Sequence, residues 1–423
     1  MKRSVFIIIS ILLALTLIGV WAYLLFFNTG SQPNDEFADF DFENINDQNT
    51  VVVVNDSDPV VDVVNLDRLR QLTTGPVVGF SEMTDLDNQT KILYTQAGTG
   101  HIFSIDLDSG EEERLSGNTF GGIEKAVFTP DGRAVMISSG NGFGQQASVG
   151  VWSSSTNKFV FSNIEEVVAD FTTTENNTFL LAIDTTNSLL VVEYDPNSGT
   201  RSSLFTTPFV EVSFLWGRFA SSTHYFYPKA SARLEGYLYS AKDGLIKRLP
   251  IEGRGLTAIG DESYVLYAKQ VERDYLTFLY NKETGEEFDF NFLHIITDKC
   301  SLRPVSSTFI CGTNSLNKDS NTPDEWYRGE ITYNDAIWEI DPVNLGSRKL
   351  VEIAVESGRS VDTQNLSVGA SDKNLLFQNK TDRTLWMYIL IEEEVISAVG
   401  LEEPQVEVVS TTTDQLEANE DTE

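Results

Sequence analysis

The sequence predicts an all-β protein, a seven-bladed β-propeller that follows a single N-terminal transmembrane helix. Three observations support this prediction. A motif of alternating apolar residues, then Asp or Asn, then a turn ending in Gly recurs through the middle of the chain. Each recurrence carries the turn signals of about four short strands, and helical periodicity between them is nearly absent. Repeats of forty-odd residues with four strands each are typical of propeller blades.

Residues 4–27 are the predicted transmembrane helix, since they follow Lys2 and Arg3 and contain no charged residue. At about 1.5 Å per residue they span about 36 Å, more than the ~30 Å hydrocarbon layer. A cleaved secretory signal is the alternative, but its apolar core is usually only about 7–15 residues long. Residues 28–67 contain no Lys or Arg. The charge bias therefore leaves residues 1–3 as a cytoplasmic stub and places the main domain outside, at what we take to be a bacterial cell membrane.

The formal net charge of −33 sets the broad class of partner. Nucleic acid is excluded as a partner, because its phosphates would be repelled rather than neutralised. Residues 28–59 are acidic and poor in core-forming residues, so they are predicted to be a flexible tether. A calcium loop there would need a Gly turn and a fixed ligand spacing that are missing. Residues 401–423 are a second acidic segment, predicted to be a disordered tail, which leaves residues 60–400 for the propeller.

The recurring motif can be followed unit by unit. Its clearest copies are IFSIDLDSG ending at Gly110, VVEYDPNSG at Gly199, YLYSAKDG at Gly244, FLYNKETG at Gly285 and IWEIDPVNLG at Gly346. Two further copies, VGVWSSSTNKF at 149–159 and TLWMYIL at 384–390, bring the number of units to seven, with six or eight blades left open. A hairpin precedes each copy, most clearly in AVFTPDGRAVMISS at 126–139.

The hairpin sequence TPDG at 129–132 gives the chain a family resemblance. Over residues 75–395 it resembles the WD-repeat and TolB-like class of β-propellers, whose inner hairpins often read S/T-P-D-G. The Trp-Asp signature of true WD repeats is absent. The block from Cys300 through PDEWYRG to IWEID also resembles uncharacterised membrane-anchored bacterial propellers. These resemblances imply the fold and a membrane anchor, and they imply no activity.

A propeller ring is usually closed by a strand from the opposite end of the chain. Residues 73–82 or 60–66 could pair with the strand WMYIL at 386–390 for this purpose. Closure removes free sheet edges that would otherwise aggregate.

Catalysis is not expected from the motifs. The histidines His101, His224 and His294 have no partner at metal-ligand spacing, and no nucleophile elbow, phosphate loop or zinc motif occurs. We therefore expect no enzyme, no metal and no cofactor. The alternative is a propeller hydrolase or lyase acting on an envelope polymer. It would need carboxylates converging on the central channel, whereas the inner strands read apolar.

Cys300 and Cys311 flank a short hairpin and are predicted to lie directly opposite each other. Opposed residues in a non-hydrogen-bonded pair are about 4.5 Å apart at Cα, within the range of a disulfide. Oxidation is permitted outside the cytoplasm. Two free buried thiols, or a metal or redox site, remain alternatives to a structural disulfide.

One face of the propeller is predicted to carry a binding site. The unit that contains the cysteines has a long loop at 314–336 between its second and third strands, and the corresponding loops of the two preceding units are basic. The candidate residues are Lys229, Arg233, Lys269, Arg273, Trp326, Tyr327 and Arg328. Trp, Tyr and Arg dominate binding hot spots. Alternatively, Trp326 and Tyr327 fold down and cap their own blade.

Together these features predict a non-catalytic binding or scaffold module of the cell envelope. Its predicted partners are the membrane, through residues 4–27, and an envelope protein or wall polymer at the basic face.

Overall fold

The structure is a computed structural model that describes residues 68–84, 89–140, 145–290, 292–303, 305–313, 321–369 and 371–390. Residues 1–67, with the predicted stub, transmembrane helix and tether, lie outside this range, as does the tail at 401–423. Among the described residues, no helix has the length and apolar character needed to cross a membrane.

The first sheet shows why the motif recurs. Strand β1 (Leu69–Gln71) precedes it in the chain and belongs to the last sheet. The four strands of the first sheet are β2 (Val77–Thr84), β3 (Thr90–Gln96), β4 (Ile102–Asp106) and β5 (Glu112–Ser116). The turn after β4 is closed by Asp106, whose Oδ1 accepts hydrogen bonds from the amides of Asp108 and Ser109. Gly110 follows with a positive φ of 73°, a conformation that favours glycine. The equivalent turns are capped in the same way by Asp195, Asn281 and Asp341.

Two seven-stranded sheets follow. The first contains β6 (Ile123–Phe128), β7 (Ala134–Gly140), β8 (Gln145–Ser153), β9 (Lys158–Thr173), β10 (Phe179–Thr185), β11 (Ser188–Tyr194) and β12 (Arg201–Thr207). The second contains β13 (Val212–Leu215), β14 (His224–Pro228), β15 (Glu235–Lys242), β16 (Leu245–Gly260), β17 (Tyr264–Val271), β18 (Asp274–Asn281) and β19 (Glu287–Asp289).

The long strands β9 and β16 each connect two four-stranded units. The first part of β9 pairs with β8, and its last residues pair with β10. In the same way, β16 pairs first with β15 and then with β17. The outer strand of one unit therefore runs on directly as the inner strand of the next.

The last two sheets have four strands each. One contains β20 (Cys300–Leu302), β21 (Phe309–Thr313), β22 (Ala336–Asp341) and β23 (Gly346–Glu352). The other contains β24 (Thr363–Val368), β25 (Asn374–Asn379) and β26 (Leu385–Ile389), with β1 (Leu69–Gln71) as its outermost strand. The helices of this part of the chain are short: α1 (Asp324–Tyr327), α2 (Ile353–Ser357) and a 3-10 turn, Thr297–Lys299.

Closure by an N-terminal strand is confirmed, but with different residues. β1 pairs antiparallel with β26, and Leu69 lies opposite Tyr388. Residues 73–82 do not form the closing strand, because the backbone turns at Thr73–Gly75 and then enters β2 of the first sheet. Residues 60–66 lie outside the described range.

The core lies between successive sheets. Leu93 of the first sheet packs in one cluster with Phe128 and Ile137 of the next. Ile92 packs with Leu376 and Met387 of the last sheet, so the apolar contacts continue across the closure. The molecule is thus an all-β propeller in which each sheet buries its faces against its neighbours.

Candidate functional site

The inner strands of the propeller surround a channel of about 790 Å³. Strands β6, β9, β13, β16, β20 and β24 all contribute to its wall. Cavities of about 300–1,000 Å³ are typical of small-molecule sites. The channel is therefore the candidate functional site.

Asp298 is the carboxylate that reaches the channel from the connection between β19 and β20. The Tyr327 hydroxyl donates a hydrogen bond of 2.7 Å to its Oδ2, and Tyr227 donates a second one. The side chain is exposed and opens into the channel. Desolvation by the neighbouring protein raises the pKa of Asp298, and the two tyrosine hydrogen bonds oppose the rise.

The two tyrosines are held in their neutral form. Burial, and then the nearby charge of Asp298, raises the pKa of both Tyr227 and Tyr327 well above the usual value. Tyr227 is buried, whereas Tyr327 is 40% exposed. A carboxyl group of raised pKa beside two phenols is an arrangement suited to proton transfer.

A second polar group on the channel wall links three units. Lys125 Nζ lies 2.7 Å from Asp170 Oδ1, and the Trp216 indole donates to Asp170 Oδ2 at 3.0 Å. These residues are 45 and 46 positions apart, one repeat each. Further along the wall, Arg218 is paired with Glu175 at 3.1 Å. Both of these channel carboxylates thus have basic partners.

The long loop that carries α1 lies beside the basic loop of an earlier unit. Asp324 accepts hydrogen bonds from Ser231 Oγ at 3.2 Å and from the Ala232 amide at 2.9 Å. These contacts bring Arg233 and Tyr327 into the same sector of one face. That sector adjoins the channel, because Lys229 and the Tyr327 partner Asp298 both line it.

The predicted basic residues differ in their exposure and in their contacts. Lys229, Arg233 and Arg273 are exposed. Lys269 is half-buried, and its ammonium lies over the rings of Tyr267 and Phe278 at 5.4 and 5.2 Å. Arg328 is exposed but forms a two-pronged ion pair with Glu330.

Trp326 requires a correction. Its side chain is only 3% exposed, so its indole is not a surface contact for a partner. It packs with Ala268, Tyr275 and Ile296, and its Nε1 donates to Asp362 at 3.0 Å. The alternative, that the tryptophan folds down, describes it better. Its contacts are with its own loop as well as with neighbouring units.

A buried charge cluster fixes the position of this tryptophan. Lys299 Nζ, 3% exposed, lies 2.6 Å from Asp335 and 2.8 Å from Asp362. The same ammonium faces the rings of Trp326 at 5.6 Å and Tyr333 at 4.6 Å. Burial raises the pKa of Asp335 in spite of the lysine. The adjacent residues Asp298 and Lys299 therefore point to different places, one into the channel and one into the core.

The disulfide is confirmed. Cys300 and Cys311 are bonded, lie directly opposite each other on β20 and β21, and have Cα atoms 4.1 Å apart. Both are buried. Neither thiol is therefore available as a nucleophile or metal ligand.

The histidines have structural contacts. His224 is buried, accepts the Gly217 amide at Nδ1 and contacts the Ala220 carbonyl through Nε2, and burial lowers its pKa. His101 contacts Thr119 and Arg114, and His294 Nδ1 lies 3.2 Å from the Tyr275 carbonyl. Across the described ranges, no group of three or more His, Cys, Asp and Glu side chains is placed to hold a metal ion.

Asp298 and Tyr227 were not among the residues singled out from the sequence. The available signal was position: Asp298 lies in the connection that leads into an inner strand, and such connections open onto the channel. Tyr227 lies near the end of β14, two residues before Lys229.

No protein-family profile and no curated protein matches the chain. Solved structures do. An oligogalacturonate lyase in complex with manganese matches with a TM-score of 0.50 and 13% identity, over 77% of this chain and 93% of that one. The oligogalacturonate lyase from Vibrio parahaemolyticus gives 0.49 and 12%, over 77% and 94%. The β-propeller domain of the trilobed protease from Pyrococcus furiosus gives 0.48 and 10%, over 74% and 95%.

The similarity to the manganese-bound lyase corrects the expected function. We expected a non-catalytic binding or scaffold module and no enzyme, in part because the inner strands read apolar. That lyase has the same fold, so a propeller fold does not exclude catalysis. At 13% identity the similarity concerns the fold, and it places this chain among the β-propellers.

Proposed function

We propose that this protein is an enzyme that cleaves an acidic polysaccharide of the cell envelope, with its active site at the channel mouth around Asp298. The observation that carries the proposal is the environment of this carboxylate. It lines the channel, accepts hydrogen bonds from two neutral phenols, and has a raised pKa. Perturbed acids in a cleft are frequent catalytic groups.

The residues suit elimination better than hydrolysis. Glycoside hydrolysis generally uses two carboxylates about 5–9.5 Å apart. The other channel carboxylates, Asp170 and Glu175, are held by Lys125 and Arg218. Asp298 instead has phenols as its direct neighbours. The oligogalacturonate lyases of the same fold agree with a lyase acting on a uronate polymer.

A proton cycle follows from the contact between Asp298 and Tyr327. The ionised carboxylate removes the proton from the carbon next to the substrate carboxylate. Tyr327 donates its phenolic proton to the departing glycosidic oxygen as the C–O bond breaks and a C=C bond forms. The carboxylic proton then passes from Asp298 to the phenolate across their hydrogen bond and restores both groups.

The basic residues on this face of the propeller would bind the substrate. Lys229, Arg233 and Arg273 are exposed, and Lys229 lines the channel. Lys269 and Arg328 add charge at its edge, and Tyr327 connects this face to Asp298. Positive side chains in an acidic protein would collect and orient a polyanion at the channel mouth.

The remaining parts of the proposal concern architecture and location. We propose that the propeller has seven blades, a count supported by dividing β9 and β16 where each changes its pairing partner. We further propose a WD-repeat or TolB-like propeller anchored through residues 4–27, with residues 1–3 in the cytoplasm and the tether 28–59 outside. Nucleic acid is not a substrate in this proposal.

The test is to incubate the full-length chain with uronate polymers and follow the ultraviolet absorbance of the conjugated C=C bond. Asp298→Asn is expected to lower kcat by about 10²–10⁴-fold, the usual contribution of a general acid or base. Asp184→Asn, a change at an exposed carboxylate of β10, is the matched control. New reducing ends without the absorbance would indicate hydrolysis instead, and full activity of Asp298→Asn would refute the assignment.

A further inference from the structure

A second cavity, of about 410 Å³, lies away from the channel mouth. It is lined by the start of β14, the end of β15, the start of β16 and the end of β18. Thr223 of the cavity immediately precedes β14, whereas Lys229 of the basic face immediately follows it. The five residues of β14 rise about 16 Å, so the two sites open at opposite ends of this strand. We call this cavity the lysine pocket.

Three lysines line the lysine pocket: Lys242, Lys247 and Lys282. This is a local excess of positive charge in a chain with 30 basic and 63 acidic residues. Lys242 lies 3.6 Å from Glu262, a carboxylate that also accepts two hydrogen bonds from Thr223. Asp243 is the one carboxylate on the cavity wall itself, so the lysines outnumber it there.

Lys247 and Lys282 are the two lysines of the pocket that could contact a bound anion directly. In the part of the chain that the structure describes, neither forms an ion pair with a carboxylate. Lys247 is exposed. Lys282 is half-buried, and its ammonium donates to the Tyr225 hydroxyl, which itself donates to the Asp261 carbonyl at 3.0 Å. Burial lowers the pKa of Lys282, which means that its positive charge is poorly solvated.

Part of the remaining wall is apolar or aromatic. Leu245 is 65% exposed, and Leu249 and Tyr280 flank it. Cavities that bind small molecules combine such surfaces with a few charged groups that fix the orientation of the ligand. Glu262 and Asp261 act on Lys282 as nearby negative charges without a direct ion pair. A bound anion could make the direct contact, and hydrogen bonds to charged groups are stronger than neutral ones.

We propose that the lysine pocket binds a small organic anion, a carboxylate or phosphate group carried on a sugar-sized body. The anionic group would lie between Lys247 and Lys282, and the body would pack against Leu245 and Tyr280. This inference does not depend on the proposed polysaccharide cleavage, since the pocket shares no residue with the channel.

The experiment is isothermal titration calorimetry on the full-length chain in a non-ionic detergent. The probes are galacturonate, inorganic phosphate and uncharged galactose. We expect galacturonate, phosphate or both to bind, and galactose to bind at least tenfold more weakly. Comparing the titrations of galacturonate and phosphate distinguishes a carboxylate ligand from a phosphate ligand. Lys247→Met with Lys282→Met is expected to weaken anion binding at least tenfold, and Lys158→Met, at an exposed lysine of β9, should leave it unchanged.

Two further variants keep the result unambiguous. Lys247→Met alone changes an exposed residue, so it tests the pocket even where loss of the half-buried Lys282 disturbs folding. Asp298→Asn should retain anion binding in the lysine pocket, because Asp298 lines the channel and not this pocket. The proposal is overturned if neither anion binds at about 10 mM, if galactose binds as well as galacturonate, or if the lysine variants bind as tightly as the unaltered chain.

Discussion

Tyr327 donates its hydroxyl hydrogen bond to the carboxylate of Asp298 across 2.7 Å, although 29 residues separate them in sequence. Tyr327 ends the helix α1 of the long loop, and Asp298 lies in the connection before β20. The long loop therefore contributes a side chain to the channel site. Its position beside the basic loops determines the position of the Tyr327 hydroxyl.

The raised pKa of Asp298 predicts a pH-dependent gain in stability for Asp298→Asn. A carboxyl whose pKa is higher in the folded state favours folding while it is protonated, and that contribution is lost as the pH rises through the folded-state value. The variant should therefore raise Tm relative to the unaltered chain at pH 7.5, and the difference should shrink toward pH 4. Thermal denaturation across this range checks it, with Asp184→Asn as the control. A difference independent of pH would contradict the assigned cause.

Charge reversal on the basic face should weaken substrate binding. With Arg233→Glu, Arg273→Glu and Arg328→Glu combined, we expect KM for a uronate polymer to rise at least tenfold while kcat changes little, because these side chains lie outside the proton-transfer group. The effect should diminish at high salt, which screens exposed charges. Arg133→Glu, at an exposed position after the first turn of another unit, is the control. An unchanged KM would remove this face from substrate binding.

Loss of the disulfide should destabilise the propeller. Replacing both Cys300 and Cys311 by Ala is expected to lower the free energy of unfolding by about 2–3 kcal/mol at most, given the short loop that the bond closes. Urea denaturation measures this change. A reductant should destabilise the unaltered chain by a similar amount and leave the variant unaffected. Cysteines that alkylate without reduction would show that the bond is not formed in the protein as isolated.

Removing Lys299 should be far more costly. Lys299→Met leaves Asp335 and Asp362 buried side by side without their counter-charge, and breaking a buried pair in this way costs about 3–5 kcal/mol. Urea denaturation of the variant gives the value. Adding Asp335→Asn and Asp362→Asn should recover part of the loss, because the unpaired charges are then removed. Lys158→Met, an exposed change, should stay within about 0.5 kcal/mol; an equally small effect of Lys299→Met would mean that the cluster is not buried as described.

The local chemistry of the repeat was accessible from the sequence. The Asp or Asn before each Gly turn is visible as a motif, and in the structure residues such as Asp106 and Asp195 cap the turn between the third and fourth strands. The closing strand was harder to place. Residues 60–66 and 73–82 look more apolar than Leu69–Gln71, but β1 needs to cover only one edge of β26.

Several features of the candidate site could not be predicted from local sequence patterns. Loop length and basic residues indicated one sector of one face as a binding site, a prediction that depended only on strand order. The burial of Trp326 depends on Asp362, 36 residues away in another unit, so it could not be seen locally. Asp298 and Lys299 stand side by side in the segment TDK, and nothing in that segment tells which of them enters the core.

The pairing of Leu69 with Tyr388 has a consequence for synthesis. During translation, at about 5–20 residues per second, β1 emerges long before β26 exists. The edge of β1 stays unpaired while the intervening sheets form, and contacts of such long sequence separation form slowly. A ribosome-bound chain stalled before residue 385 would hold an open ring with both terminal strand edges unpaired, and unpaired edges are sites of aggregation.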